Sequence, residues 1–485
     1  MTGFDDDRQL EALGYKPAMR RRFSPLSLLS MCFALTATWN GFGAAIGVSL
    51  AQASSGGTLV TLIMAAGLNF IVSLGMAELA SAYPNSGAQY YWSYRVASRE
   101  WAPFASYISA CTSTAGWWLG LASVCNFITA IIFAILHLFG GHDPYLWEQW
   151  LCYTEVLWSA VLFNIRGVSF LPLFNRFISI LVYSSPTVVF SILSLILTVA
   201  TLLFCASPQF QSVEWVFLNT DNWGQSYDGR ASRTCLWPPL YDGYMLMALC
   251  LLNKTYGFMG TDAGAHLAEE VPSPSINAPK VIIYPVLIGL ATAWPFGAAC
   301  MFVIQDIETV VHPPSGFALI EICIQATGSK FVTLTLLSMF AICLFGCAVA
   351  NITGSSRQLW ADARDDCYPL SGWWQHVDPY WQVPVNSILL SAIVTTIYGI
   401  MFLGSPDAFA SMVGANIVFM MASYVIPQGI LAWRGRDKLS PRPFNLGRYG
   451  YLINVTSCIW VTILVVLACL PTTRPVSWSN FNWVG

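Results

Sequence analysis

The sequence predicts an all-α polytopic membrane protein, and three observations carry that prediction. Of the 485 residues, 56% are hydrophobic and only 10% charged, with a mean hydropathy of +0.58. Soluble domains carry about 25% charged residues. The apolar residues fall into runs of the ~20 residues that a bilayer crossing needs. Lys and Arg then crowd into alternate loops, as they do on the cytoplasmic side of membrane proteins.

Eleven runs qualify as spans: 26–51, 57–81, 103–135, 146–163, 177–205, 242–266, 281–304, 331–356, 385–403, 407–432 and 449–470. Seventeen of the 22 basic residues lie on the side that holds Arg20, Arg95, Arg176, Lys280, Arg357 and Arg436. Four, Arg230, Arg233, Lys330 and Arg474, lie on the other, and Lys254 falls inside a span. This bias predicts a cytoplasmic N-terminus. The start of the chain has no apolar signal-peptide core, so the first span is expected to direct insertion. The expected organisation is a cytoplasmic tail over 1–24, one transmembrane domain over 25–470, and a short outer segment over 471–485.

The first span is interrupted at its middle by Trp39-Asn40-Gly41-Phe42-Gly43. The second ends at Glu78-Leu-Ala-Ser-Ala-Tyr83-Pro84, where proline stops the helix and Gly87 is expected to permit a tight turn. The third is too long for a perpendicular crossing and must tilt or protrude. Its Gly116-Trp117-Trp118 faces either the core or lipid. The fifth holds no ionisable Asp, Glu, Lys, Arg or His.

The sixth span carries the most informative stretch, Tyr256-Gly257-Phe258-Met259-Gly260-Thr261-Asp262 followed by Gly264 and His266. Glycines and an acid at membrane depth leave backbone groups that lipid cannot satisfy. A discontinuous helix with binding ends answers that cost. Interrupted helices at positions one and six of a ten-span core are the sequence pointer to an inverted-repeat transporter with a midplane site. A soft kink filled by glycine packing is the plainer alternative.

The outer face is expected to carry an ordered cap over 206–240, between spans five and six, and short helices broken at Pro313-Pro314, between spans seven and eight. Of the fourteen cysteines, Cys32, Cys111, Cys125, Cys250, Cys300, Cys343, Cys347 and Cys458 fall inside spans without metal spacing and read as packing residues. Only Cys205, Cys235 and Cys323 lie near the outer face, where a bridge is conceivable. The sequons at Asn253, Asn351 and Asn454 lie in or at spans, where no glycan is expected. No nucleophile–base pair, metal spacing or phosphate loop appears, which argues against an enzyme, and nothing suggests nucleic acid.

The segments ELASAYPNSGAQYYW, GFMGTDAGAHLAEEVPSPSINAPKVI, SRQLWADARDD, VPVNSILLSA and PFNLGRYGYLINVTSCIWV resemble the fungal amino acid/choline transporter family. These are choline and γ-aminobutyrate permeases of the amino acid–polyamine–organocation superfamily. The resemblance runs from about Ser24 to Val484. It implies the LeuT-like five-plus-five inverted repeat, normally with twelve spans, in a multi-pass protein of the plasma membrane. Three departures stand out. Relatives read an aromatic, Ala-Arg-Asp and two glycines where this chain has Asp362-Ala363-Arg364-Asp365-Asp366. Span five lacks the lysine of some proton-coupled relatives. The sequence also stops where a twelfth span would begin, as a shortened transcript or gene model would.

Within such a fold, amides around Gly41, Phe42 and Gly43 are placed to hold a carboxylate, and carbonyls around Tyr256, Gly257 and Phe258 to receive an ammonium. Choline would instead need aromatic faces, each worth about 0.5–2 kcal/mol. Trp39, Phe42, Trp117, Tyr256, Phe258 and Trp294 are the candidates. Thr261 and Asp262 complete the substrate set, with Asp262 as a charge-pairing or protonatable group or a cap on the second half-helix. Lys254 reads as a snorkelling or locally paired residue, with substrate contact as the alternative. Glu78, Glu269 and Glu270 are placed for gating ion pairs with Arg95 or Arg364. His266 reads as a local hydrogen-bonding group or a proton relay.

The resulting expectation is a secondary active transporter for amino acids or choline. A non-transporting receptor or truncated, inactive permease-like protein stands as the alternative. No cofactor is expected. Coupling to protons is expected over sodium, from family habit and Asp262. The expected partners are the solute, membrane lipid and, conceivably, a second copy in a homodimer.

Overall fold

The computed structural model describes residues 10–11, 14–15, 24–178, 186–219, 239–381, 383–404, 406–437 and 439–469. Most of the N-terminal tail, Cys235, Trp223, Trp237 and the segment 471–485 therefore lie outside the described residues.

Each of the eleven apolar runs contains helix. The first span is three short pieces: α1 (Pro25–Thr36), α2 (Thr38–Ala44) and α3 (Ile46–Ala53). Ser24 caps α1 by accepting from the Ser27 amide at 3.1 Å, and Pro25 opens it, where its missing N–H costs nothing. The chain breaks at Ala37, which takes a left-handed conformation with φ 39°, and bends by 54° at Ala45. The glycine run itself is helical, contrary to expectation. The Gly41 amide donates to Ala37 O at 2.8 Å and the Ala45 amide to Gly41 O at 3.2 Å, so these groups are not free to hold a carboxylate. The glycines serve close approach instead. A Cβ on Gly41 would stand 3.4 Å from Gly257 Cα, and one on Gly43 would press the rings of Phe340 and Phe296 at 3.0–3.1 Å.

Next come α4 (Ser55–Ala82), α5 (Ala88–Val96) and α6 (Ala102–Leu138). At 1.5 Å per residue the 37 residues of α6 extend about 55 Å, well beyond the ~30 Å hydrocarbon core. The turn before α5 corrects the reading of Gly87. Its φ is an ordinary −67°, and Ala88 takes the left-handed value of 43°. Gly87 is small because the Tyr90 ring lies against it.

Helices α7 (Leu146–Ile178) and α8 (Pro186–Ala206) complete the first five spans, and α9 (Val213–Leu218) packs on α4, where Ser55 Oγ donates to Trp215 O at 2.6 Å. The sixth span is α10 (Pro239–Tyr256), a series of tight turns, and α11 (Ala263–His266), followed by a 3-10 turn at Ala268–Glu270. Then follow α12 (Pro274–Val303), the short helices α13 (Ile307–Val311) and α14 (Ala318–Thr327), and α15 (Lys330–Arg364). After α16 (Ser371–Trp374) come α17 (Val385–Gly399), α18 (Met401–Gly404), α19 (Pro406–Arg434) and α20 (Gly450–Ala468).

Packing sets the broken spans at the centre. Helix α6 lies against α15 and α19, and α4 lies against α12 and α10. The short pieces of span one touch α12 and α15, while α13 and α14 pack on α3. Helix α20 packs outside, on α19 and α4. Every described cysteine is a free thiol.

Candidate functional site

A small cavity opens where the two broken spans face α6, α15 and α19. About 40 Å³ of it admits a water-sized molecule, room for a few waters. Span one contributes Thr36, Ala37 and Gly41, and the sixth contributes Tyr256, Met259 and Gly260. Helix α6 presents Gly116 and, at steps of three, four and three residues, Trp117, Gly120, Val124 and Phe127, the spacing of one helix face. Cys347 and Asn351 of α15, with Asn416 and Met420 of α19, complete the wall.

Several contacts fix this wall. The Tyr256 and Ser123 hydroxyls hydrogen-bond at 2.5 Å, and Phe127 meets the Tyr256 ring edge-on with centroids 5.8 Å apart. The Cys347 thiol donates to Leu35 O at 3.0 Å. Beside Gly120 lie the amides of Asn351 and Asn416, either of which would stand about 3.3 Å from an added Cβ. The side-chain oxygens of both are buried and accept no hydrogen bond. Such acceptors are costly unless a donor reaches them.

Of the residues expected to bind solute, Gly41, Trp117 and Tyr256 line this cavity. The others are placed elsewhere. Trp39 is locked between Phe296 and Phe340, edge-on at 5.4 and 5.3 Å, and its indole N–H donates to Ser191 Oγ at 3.0 Å. Phe42, with Gly41 and Gly257, lines a narrow crevice beside Lys254. Phe258 and Thr261 are buried in the core, Gly43 spaces two phenylalanines, and Trp294 stacks on Phe217. The six-membered aromatic cage reduces to Trp117 and Tyr256, joined by Phe127. Sequence reasoning missed Asn351 and Asn416, since one amide on an apolar helix carries no signal of where it points.

Asp262 does not line the cavity either. It stands at the start of α11 without capping it. Tyr424 donates to Oδ1 at 2.6 Å and Gln89 Nε2 to Oδ2 at 2.6 Å, while His266 Nε2 lies 3.1 Å from Oδ2. The other ring nitrogen of His266 lies 3.0 Å from Ser86 O. A carbonyl can only accept, so Nδ1 carries a hydrogen. A carboxylate and a bare Nε2 would repel, so the Asp262–His266 pair holds one further proton between them. Both side chains are fully buried.

Below this pair the charges are matched. Arg364 binds Glu269 and Arg357 binds Glu270 at 3.0 Å. Glu78 does not meet Arg95 or Arg364 as expected. It takes Arg436 and Arg442, both from the segment after α19, while Arg95 lies 5.3 Å over the Tyr83 ring. The Leu446 amide also donates to Glu78 Oε1 at 3.1 Å, so described residues after α19, rather than Arg95 of α5, supply its partners. Asp365, in the altered loop, accepts from Tyr15 at 2.7 Å and Tyr90 at 2.8 Å. Among the described residues no three His, Cys, Asp or Glu side chains gather as a metal-ligand set.

Comparison with known proteins gives the same picture. The profile described as amino acid permease matches residues 23–485. The chain is 30% identical over 472 residues to a choline transporter of Saccharomyces cerevisiae, covering 96% of this chain and 78% of that one. It is 28% identical over 490 residues to the amino-acid permease BAT1 homolog of Oryza sativa subsp. japonica, with 98% and 89% covered. Among solved structures it resembles a manganese transporter of Eremococcus coleocola, with a TM-score of 0.52 at 12% identity, over 90% of this chain and 86% of that one. That likeness speaks to the fold, the five-plus-five arrangement with broken first and sixth spans.

Proposed function

Because the chain belongs to the amino acid permease family, we propose that it is a secondary transporter for amino acids or choline whose solute binds in the central cavity. The observation that carries this reading is that one cavity is lined by both broken spans at once. Discontinuous helices place unpaired backbone and small residues at a midplane site, and rocking one bundle against the other exposes it to each side in turn.

On this reading Trp117, Phe127 and Tyr256 give the solute apolar and aromatic surface, and Asn351 and Asn416 give it acceptors. The ion pairs Arg364–Glu269, Arg357–Glu270 and Glu78 with its two arginines close the cytoplasmic side. The proton between Asp262 and His266, one turn below the cavity, is the exchangeable charge that would couple uptake to a pH gradient. The 17-to-4 distribution of basic residues supports a cytoplasmic N-terminus, and the family resemblance favours the plasma membrane as its location.

Vesicles containing the purified protein test the reading. Labelled γ-aminobutyrate, α-amino acids and choline should be offered with an inward proton gradient, then with a sodium gradient. Uptake of at least one class driven by protons is expected. No uptake of either class would overturn the transport reading, and uptake that needs sodium while ignoring pH would overturn the coupling.

A further inference from the structure

The inward-facing cations among the described residues are mostly matched by a carboxylate. Arg357 and Arg364 each have a carboxylate at ion-pair distance, and Arg436 and Arg442 share Glu78. Lys254, at the end of α10, is only 3% exposed and has no carboxylate partner among the described residues. Its Nζ donates to Ser49 Oγ at 2.6 Å and sits 3.9 Å from the centre of the Phe42 ring. Ser49 spends its own hydrogen on Ala45 O at 2.8 Å, so Nζ is the donor in that contact. An oxygen acceptor and an aromatic face are what an ammonium seeks.

Among the described side chains, the elements that pack on α10 bring no counter-charge to Lys254. Helices α2, α3 and α20 contain no acidic or basic residue. Helix α4 has only Glu78, far down its cytoplasmic end and already held by two arginines. A buried cation without an anion is costly unless another charge answers it.

A second observation comes from a different wall. Asn351 and Asn416 line the cavity beside Gly120, and their buried side-chain oxygens have no donor. A primary ammonium carries three N–H groups to give them, and a trimethylammonium carries none. Gly41 belongs both to this cavity and to the crevice that holds Phe42 and Lys254. The positive charge thus lies behind the thin backbone wall on the span-one side.

We propose that the cavity is polarised for a zwitterion, with Lys254 drawing the solute's carboxylate and Asn351 and Asn416 accepting from its ammonium, so that amino or γ-amino acids are selected over choline. This rests on the cavity being the solute site. One unit charge acting across a few ångströms of low-dielectric protein favours an anionic group by about tenfold or more in affinity, and disfavours a cation by a similar factor.

The test uses the full chain in vesicles, with labelled γ-aminobutyrate and a panel of labelled α-amino acids as substrates and choline as competitor. Wild type should take up at least one amino acid, with choline competing tenfold more weakly or worse. Lys254→Met should raise the amino-acid KM by tenfold or more and strengthen competition by choline, and Lys254→Arg should restore the wild-type order. Choline competing as well as the amino acids in the wild type would overturn the charge assignment and leave the transport reading standing. So would Lys254→Met keeping both affinities within twofold. If Lys254→Met does not reach the membrane, the wild-type competition alone decides. A wild type that moves neither class overturns both readings.

Discussion

Arg364 grips Glu269 with both terminal nitrogens, Nη1 to Oε2 at 3.0 Å and Nη2 to Oε1 at 2.9 Å, while its flat face lies 4.0 Å over the ring of Tyr15. Helix α15, the sixth span and the N-terminal segment meet at this one guanidinium. Removing one partner of a buried pair costs about 3–5 kcal/mol, because the other charge is left unanswered. Arg364→Ala should therefore open the cytoplasmic side. Cys347, the cavity thiol, should react severalfold faster with a thiol reagent applied from that side, and solute should protect it. Unchanged labelling of Cys347 would refute the closure.

Tyr15 adds a pH dependence to this contact. Burial, and next the Asp365 carboxylate it donates to, raise its phenol above the ordinary value of 10.0. A raised value means that the docked state holds the proton more tightly than the free segment does. The contact is at full strength below pH about 10 and weakens as pH rises beyond it. Tryptic cleavage after Arg20 should be faster in Tyr15→Phe than in wild type up to pH about 10, and the ratio should fall towards one above it.

The glycines at the breaks should not behave alike. A Cβ on Gly257 meets nothing nearer than 3.5 Å, so Gly257→Ala should keep at least half of the uptake. Gly260 has φ +80° and its Cβ would run into Leu35, so Gly260→Ala should abolish uptake. Gly43→Leu should do the same by forcing Phe340 and Phe296 apart. Equal activity in Gly257→Ala and Gly260→Ala would contradict these geometries.

Tyr424 links the second break to Asp262, accepting from the Gly260 amide at 3.2 Å and donating to the carboxylate. Tyr424→Phe strands both groups, at about 1–3 kcal/mol, and should lower the melting temperature in detergent. Asp262→Asn should remove the response of uptake to a pH gradient. An unmoved gradient response would take Asp262 out of the coupling.

Asp366 takes φ 56° where relatives of the resembling family carry glycine. A left-handed residue other than glycine costs up to about 1–2 kcal/mol, less for Asp, whose side chain bonds locally. Asp366→Gly should raise stability by about 0.5–1 kcal/mol, read as a higher midpoint of thermal unfolding.

Topology can be checked with two single cysteines. Asp143→Cys, on the exposed turn between α6 and α7, should label from outside intact cells. Arg434→Cys, at the end of α19, should label only after permeabilisation.

What was legible in the sequence follows from the kind of signal each feature leaves. Long apolar runs and the Lys/Arg bias are one-dimensional, so the spans and the break at Tyr256–Asp262 could be read directly. The break in span one was placed at Gly41–Gly43 because glycine permits strain, yet the chain turns at Ala37 and uses those glycines for contact. Aromatics such as Trp39 and Phe258 fit a cage and a core equally well, and only tertiary packing decides. Asn351 and Asn416 stand on spans eight and ten, and their meeting beside Gly120 is a fact of folding that neither helix records.

The unmatched lysine also bears on how the chain is made. Among the described residues seven helices are long and apolar enough to cross a membrane by themselves, and α10 is not one of them. A lysine deep in a span costs about 2.5–3.5 kcal/mol at the translocon. Its two comforts, Ser49 and Phe42, belong to the first span and leave the ribosome some two hundred residues earlier. When α10 emerges, its hosts are already in the bilayer, so the order of synthesis supplies what hydrophobicity lacks. Moving the first span behind the sixth by circular permutation should leave α10 without that welcome and lower its insertion.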